Sequence, residues 1–363
     1  MKRVLIICGK LCIGGAEKVA YSIGHYADKE KYECHYIVFG ADEGEYEKRL
    51  YDDGCKIFHI QEPAKSYLEY MKTICNLINT HSYDVIHCHT MFNSGIVMLL
   101  AKLKKVPNRI THSHSICSDV KRPIAKKIYE RIMRYLICRC ATDYVACGQK
   151  SGEWLYGEKF FRKNGMLLLN GIDTLKFQYN EIKRKEIREK LDLEGNWVVG
   201  HVGHLAEVKN QKFLLELLPE LIKKNSKVRL LLVGEGPERE KLEQKIVEMK
   251  LSDYVIMTGN VMDVENYLSA MDVFVFPSLY EGMPLAMLEV QTNGLPAVMS
   301  NTVPKDVHLT NLLTVLSLND SYEKWVQAIR SSCRRESEKY CSQMYEQGYD
   351  IKTMVKKIYA LYE

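Results

Sequence analysis

No run of about 18 consecutive apolar residues occurs anywhere in this chain of 363, which excludes an ordinary membrane-spanning helix. The twelve cysteines include no CxxC pair, and ten of them are scattered before residue 150, so no compact disulfide framework is encoded. The apolar stretch in MKRVLIICGK runs straight into a Gly-Gly loop and is too short for a signal peptide. A cytoplasmic setting with reduced, mostly buried thiols is therefore expected. Low-complexity segments and short repeats are absent, and proline is scarce at 9 residues. Charge of one sign is also lacking: Lys and Arg exceed Asp and Glu by only 5, which favours anionic partners without demanding nucleic acid, and no nucleic-acid partner is expected. What remains, 46% hydrophobic and 27% charged residues, is an ordinary globular composition long enough for two domains, each with its own core.

Apolar β-rich runs alternate with helical stretches. Val4 to Cys8, Tyr36 to Phe39, Ile57 to Ile60, Val85 to Cys88, Arg109 to His112, Tyr144 to Cys147 and Met166 to Leu169 form one series. Val198 to Val202, Val228 to Val233, Val255 to Met257, Val273 to Phe276 and Ala297 to Met299 form a second. This is the signature of an α/β protein with two doubly wound parallel sheets. The turn signal in NGIDTLKF, Asn170 to Phe177, marks the hinge, followed by a charged helix from about Glu181 to Leu191. Tyr345, Tyr349, Met354, Ile358 and Leu361 recur at near-helical spacing and predict one closing helix whose stripe is core.

The most informative stretch is EGMPLAMLEVQTNGLP, Glu281 to Pro296, which follows a buried strand and sets Glu281 and Glu289 eight residues apart. A strand, a short turn and a helix aim backbone N–H groups and a positive helix end at an anion. A helical rise of roughly 12 Å over that interval would let the two carboxylates reach opposite ends of a sugar nucleotide, its diphosphate between them. The same spacing is equally that of an ordinary crossover helix with two solvated glutamates.

Other strand-to-helix turns carry similar candidates. GxGxxG is missing, yet Gly14-Gly15 lies where a phosphate or sugar can approach the backbone, or where the chain simply turns. Gly203 to Asn210 places Lys209 at a ligand-binding sheet edge, against the alternative of a solvated surface lysine. Gly234-Glu235-Gly236 reads as a ligand-side turn or as acidic capping of a helix, and Thr258-Gly259-Asn260 is placed against a nucleobase by position alone. His87-Cys88-His89 and His112-Ser113-His114 each put two imidazoles on one strand face. Neither pair has a third ligand at recognisable spacing and neither fits HExxH, so contact with substrate is preferred over zinc, and no metal site is expected. No isolated DxD pair points to a metal-held diphosphate. KRPIAKKIYERIMRY, residues 121 to 135, is a basic helix with Ile124, Ile128, Ile132 and Tyr135 on one face; it reads either as a peripheral contact with an anionic membrane or as a helix packed on its own sheet.

Together, EGMPLAMLEVQTNGLP, VGHLAEVKN, LVGEGPER, NGID, IGGAEK and DVIHCHTMFNSG resemble the retaining glycosyltransferases of family 4 over nearly the whole chain. Similarity within that family is greatest to bacterial capsule and exopolysaccharide transferases. The resemblance implies a GT-B fold: two facing Rossmann-like domains, residues 1–170 binding acceptor and residues 171–345 binding the nucleotide sugar, with a C-terminal helix over 346–363 packing back on the first. It implies transfer from a nucleotide sugar, with UDP expected, to a lipid-linked or glycan acceptor, at the inner face of the membrane and with no cofactor beyond the donor. By the same resemblance Glu281 contacts sugar hydroxyls and Glu289 the ribose. Backbone groups from Met283 through Pro284 to Leu285 meet the phosphates, Lys209 binds the diphosphate and Gly15 borders the same site from the opposite domain; Gly282, Gly259 and His204 are counted among the donor-binding residues, and His112, or His114 as second choice, lies near the sugar.

One departure stands out. His204 occupies the place, five residues before the lysine, where the family has an arginine, and imidazole offers neither a permanent charge nor a bidentate fork. Weaker activity, a changed pH dependence or compensation by Lys18 would follow. Two other readings are a nucleotide-sugar-binding protein without catalysis and a sugar-nucleotide epimerase; the EGxPLxxLE pattern argues against the epimerase. Donor and acceptor choice falls to loops around residues 42–70 and 113–125, which carry no readable code.

Overall fold

The computed structural model describes residues 1–114, 123–334 and 337–363. Most of the 113–125 loop, with Lys121 and Arg122 of the basic segment, lies outside the described residues. The chain forms two compact units, Met1–Gly171 with Ile351–Glu363, and Ile172–Asp350.

The first unit is built on seven parallel strands: β1 Lys2–Ile7, β2 Tyr32–Phe39, β3 Lys56–Ile60, β4 Val85–Cys88, β5 Asn108–Ser113, β6 Asp143–Ala146 and β7 Gly165–Leu167. Their order in the sheet is β3-β2-β1-β4-β5-β6-β7. The second unit has six, β8 Trp197–Val202, β9 Val228–Val233, β10 Val255–Met257, β11 Val273–Phe276, β12 Ala297–Ser300 and β13 Leu313–Leu316, ordered β10-β9-β8-β11-β12-β13. Val4 to Ile7 and Val273 to Phe276 are fully buried, as expected of central strands covered by helices on both faces. Strand order reverses beside β1 and beside β8, and at such switch points the loops at the carboxyl ends of the strands diverge to leave a crevice. The turns after β1, β4, β8 and β11 therefore carry the candidate residues.

Two expectations need correction. β13 has no counterpart in the sequence reading, because this LTVL edge strand exposes Thr314 and Val315 and so lacks a buried apolar run. The single closing helix is two, Ser337–Glu346 and Ile351–Ala360. Gly348, at φ +83°, breaks the pattern, and Tyr345 points to solvent while Tyr349, Met354 and Ile358 are buried. The second of these helices belongs to the first unit, where Tyr359 and Tyr362 pack against Tyr32. There Lys2 Nζ donates to the carbonyl of Tyr362 at 2.7 Å, and Asn108 Nδ2 donates to the same oxygen at 3.0 Å.

The basic helix is Ile124–Cys140. Met133, Ile137 and Cys140 face inward, and Gly95 lets the neighbouring helix Ser94–Leu103 approach: a Cβ there would lie 2.8 Å from the carbonyl oxygen of Met133. A second stripe faces outward, with Ile124 77%, Ile128 56%, Ile132 51% and Tyr135 62% exposed.

In the second unit, Asp272 precedes β11 and gathers two guanidinium groups, accepting from Arg184 Nη2 and Arg188 Nη2 at 2.6 Å each and from the Val198 amide at 2.7 Å. Arg334 lies over the Tyr179 ring at 4.5 Å and donates to the carbonyls of Leu268 and Met271 at the end of helix Val264–Ala270. Burial pushes the Arg334 guanidinium down to about 10.

Candidate active site

Lys209 and Glu281 come together in the second unit. Lys209 ends a short 3₁₀ turn, Glu207–Lys209, after β8, and Asn210 then takes a left-handed conformation, φ 56°, that swings the chain into helix Gln211–Lys224. Gln211 holds this turn from inside, its Nε2 3.0 Å from the His204 carbonyl and 3.3 Å from Nε2 of buried His201. Burial brings His201 down to about 4, so it is a neutral ring, with Nδ1 2.9 Å from the Val275 carbonyl.

Glu281 reaches the same place from the loop after β11. That loop is anchored by Ser300 and Thr302, whose hydroxyls both donate to the Ser278 carbonyl at 2.6 Å, and by the Leu279 amide, which donates to the Val208 carbonyl at 2.8 Å. The result is an ion pair of 2.7 Å between Lys209 Nζ and Glu281 Oε1, with the ammonium 5.2 Å from the centre of the Phe276 ring. The side chains are only 20% and 10% exposed. One of the three ammonium protons serves Glu281.

Glu281 and Glu289 are not joined by continuous helix, as the sequence reading had assumed. The helix is Leu285–Thr292, because Pro284 at its N-cap biases Met283 away from helical conformation. The true helical rise is Leu285 to Glu289, roughly 6 Å. Glu289 is buried, Gly282 sits in an open part of the loop, and no side chain among the described residues caps the helix start. Gln291 fixes the far side of this helix, donating to the Met287 and Val307 carbonyls and accepting from the amides of Leu309 and Thr310. Gln291, Gln211, Ser300 and Thr302 were missed by sequence reasoning, because the carbonyls they bind lie elsewhere in the chain.

Gly259 follows β10, and its carbonyl accepts from the Gly234 amide at 3.0 Å. Gly234 has φ +138°, and a Cβ there would lie 2.1 Å from the Gly203 carbonyl oxygen, so this crossing of two turns requires glycine. The side chain of His204 is exposed.

The first unit carries the other candidates. Gly15 begins helix Gly15–His25, whose N-cap is Gly14 with no side-chain cap. Inside its first turn Glu17 is held above the usual carboxylate range by burial. His112 lies at the end of β5, buried with His87 and His89 from the neighbouring β4 edge; the ring centres of His112 and His114 are 4.1 Å apart. Desolvation lowers all four, His87 and His114 to about 3, leaving neutral imidazoles at pH 7.

Residues 183–350 match the family described as glycosyl transferases group 1, and residues 13–175 match glycosyltransferase family 4. The chain belongs to the glycosyltransferases. Among relatives of this glycosyltransferase, Bacillus subtilis EpsF is 29% identical over 99% of this chain and 96% of its own length. The Escherichia coli UDP-Gal:alpha-D-GlcNAc-diphosphoundecaprenol alpha-1,3-galactosyltransferase is 26% identical over 86% of this chain and 84% of its own. The crystal structure of Anabaena Alr3699/HepE in complex with UDP-glucose superposes with a TM-score of 0.82 at 18% identity, covering 99% of each chain, and establishes that this glycosyltransferase has the GT-B fold.

Proposed function

We propose that this glycosyltransferase moves a sugar from a UDP-sugar to a lipid-linked or glycan acceptor in surface polysaccharide synthesis, with retention at the anomeric carbon and without a metal at the diphosphate. The observation that carries the reading is the Lys209–Glu281 pair beside the uncapped start of helix Leu285–Thr292. The names of the E. coli galactosyltransferase and of Staphylococcus aureus CapH, a capsular polysaccharide biosynthesis glycosyltransferase, support the donor and acceptor classes. Chemically, a nucleoside diphosphate must leave an oxocarbenium-like carbon. Lys209 neutralises the leaving charge, the backbone N–H groups of Met283 and Leu285 donate to phosphate oxygens, Glu281 holds sugar hydroxyls and Glu289 the ribose. The test is UDP release from a panel of UDP-sugars with an undecaprenyl-diphosphate-linked acceptor, together with the product's anomeric configuration by NMR. Acceptor-dependent release with retention is expected; an inverted product rejects the mechanism. Donor binding by thermal shift with no acceptor-dependent release favours the rival reading, a nucleotide-sugar-binding protein, for which the exposed His204 in place of arginine is the motive.

No helix among the described residues is long and apolar enough to cross a membrane. A lipid-linked acceptor would instead be met at a surface, and the outward stripe Ile124, Ile128, Ile132 and Tyr135, flanked by exposed Lys126, Lys127 and Arg131, suits an anionic bilayer. Replacing Ile128 and Ile132 together by Glu is expected to weaken sedimentation with phosphatidylglycerol vesicles at least about tenfold, since each isoleucine side chain contributes roughly 1.5–3 kcal/mol when buried. Unchanged sedimentation removes this helix from membrane contact.

A further inference from the structure

We propose that His87, His89 and His112 form a binding site for one divalent transition-metal ion of the zinc class, with a fourth position open to water or another small ligand. Considered one HxH pair at a time, the sequence offers no third ligand. Strand pairing supplies it: β4 and β5 are adjacent and parallel, with Cys88 beside Thr111, so the next step in register brings His89 alongside His112. One ligand nitrogen from each of His87, His89 and His112 lies within 4.8 Å of the others. Nitrogens bound tetrahedrally to zinc at about 2.0–2.1 Å stand roughly 3.3 Å apart, so modest ring rotations close the set.

The unpaired atoms point to the same conclusion. Nε2 of His87, Nε2 of His89 and both ring nitrogens of His112 are buried without a hydrogen-bond partner among the described residues. Leaving so many polar atoms of one cluster unsatisfied is costly, and a shared cation engages one on each ring. On His87 and His89 the other ring nitrogen is already committed. His87 Nδ1 is 2.7 Å from the Tyr362 hydroxyl, and His89 Nδ1 is 2.7 Å from His114 Nε2. When each Nδ1–H donates, to Tyr362 and to His114 respectively, both Nε2 lone pairs are free for the ion, the outer arrangement that orients metal-binding histidines. Tyr362 and His114 are thus positioning residues. All of these groups lie within the first unit, and the binding measurement needs no donor, so its failure leaves the transferase reading untouched.

The experiment is a titration of the reduced, chelator-treated full chain with Zn²⁺ against a chromophoric competitor, with X-ray absorption on the loaded protein. One equivalent per chain is expected, with a nitrogen and oxygen shell at about 2.0–2.1 Å. His87→Gln should weaken binding at least about 100-fold. Tyr362→Phe, which keeps the ring and removes only the outer hydrogen bond, should weaken it about 10–100-fold and decides the matter if His87→Gln does not fold. Absence of saturable binding, a sulfur shell at about 2.3 Å indicating capture by cysteines, or native affinity in a folded variant would overturn the site.

Discussion

Lys209→Ala should lower kcat for sugar transfer by roughly 100- to 1,000-fold, the loss seen when one preorganised electrostatic contact to developing charge is removed. Lys209 supplies the compact cation of the second unit's site, and Glu281 fixes it at 2.7 Å. With alanine there, the diphosphate leaves without its counter-charge, and the Glu281 carboxylate loses the cation that offsets its burial. Lys209→Arg restores the charge with a bulkier fork and should recover part of the rate, whereas Glu281→Gln keeps an acceptor and isolates the carboxylate's own contribution. Steady-state UDP release with donor and acceptor saturating measures all three, with circular dichroism confirming the fold. Near-normal turnover in both Lys209→Ala and Glu281→Gln would sink the assignment of this pair.

Asp272→Ala should destabilise the second unit by about 3–5 kcal/mol, the usual cost of stripping one partner from a buried ion pair. The carboxylate is shared by Arg184 and Arg188, whose side chains are 19% and 10% exposed, and it also holds the Val198 amide at the start of β8. Its removal leaves two guanidinium groups crowded near Arg334 with only carbonyl oxygens to turn to. Asp272→Asn retains an acceptor for the amide and should cost less. Urea unfolding followed by tryptophan fluorescence would report the difference, because Trp325 lies in the second unit's core and Trp197 packs against it. A loss below about 1 kcal/mol for the alanine variant would show that the carbonyls alone satisfy both arginines.

Much of this architecture was legible in the chain because its central strands are continuous apolar runs, which no surface element imitates. Val228–Val233 and Val273–Phe276 match the sequence reading to the residue. Edge strand β13 was illegible for the converse reason: half-exposed, its residues carry no pattern that a loop could not share. At the site, the residues of interest were named from turns at strand ends, but their mutual placement was not. The union of Lys209 with Glu281 depends on β8 and β11 being neighbours, and the histidine cluster depends on β4 lying beside β5. Neighbour relations between strands are long-range choices that local spacing does not record. The turn at Pro284 was placed correctly before the helix, but the eight-residue interval from Glu281 to Glu289 was read as helical rise throughout.

The clasp of Lys2 and Asn108 on Tyr362 also bears on the order in which this protein is made. The first unit draws on the start of the chain and on residues 351–363, whereas the second is one uninterrupted segment. On the ribosome, Tyr32, Cys34 and His87 must await Tyr359 and Tyr362, their packing and hydrogen-bonding partners. The half synthesised first is thereby the half completed last, since its final helix follows the whole of the second unit.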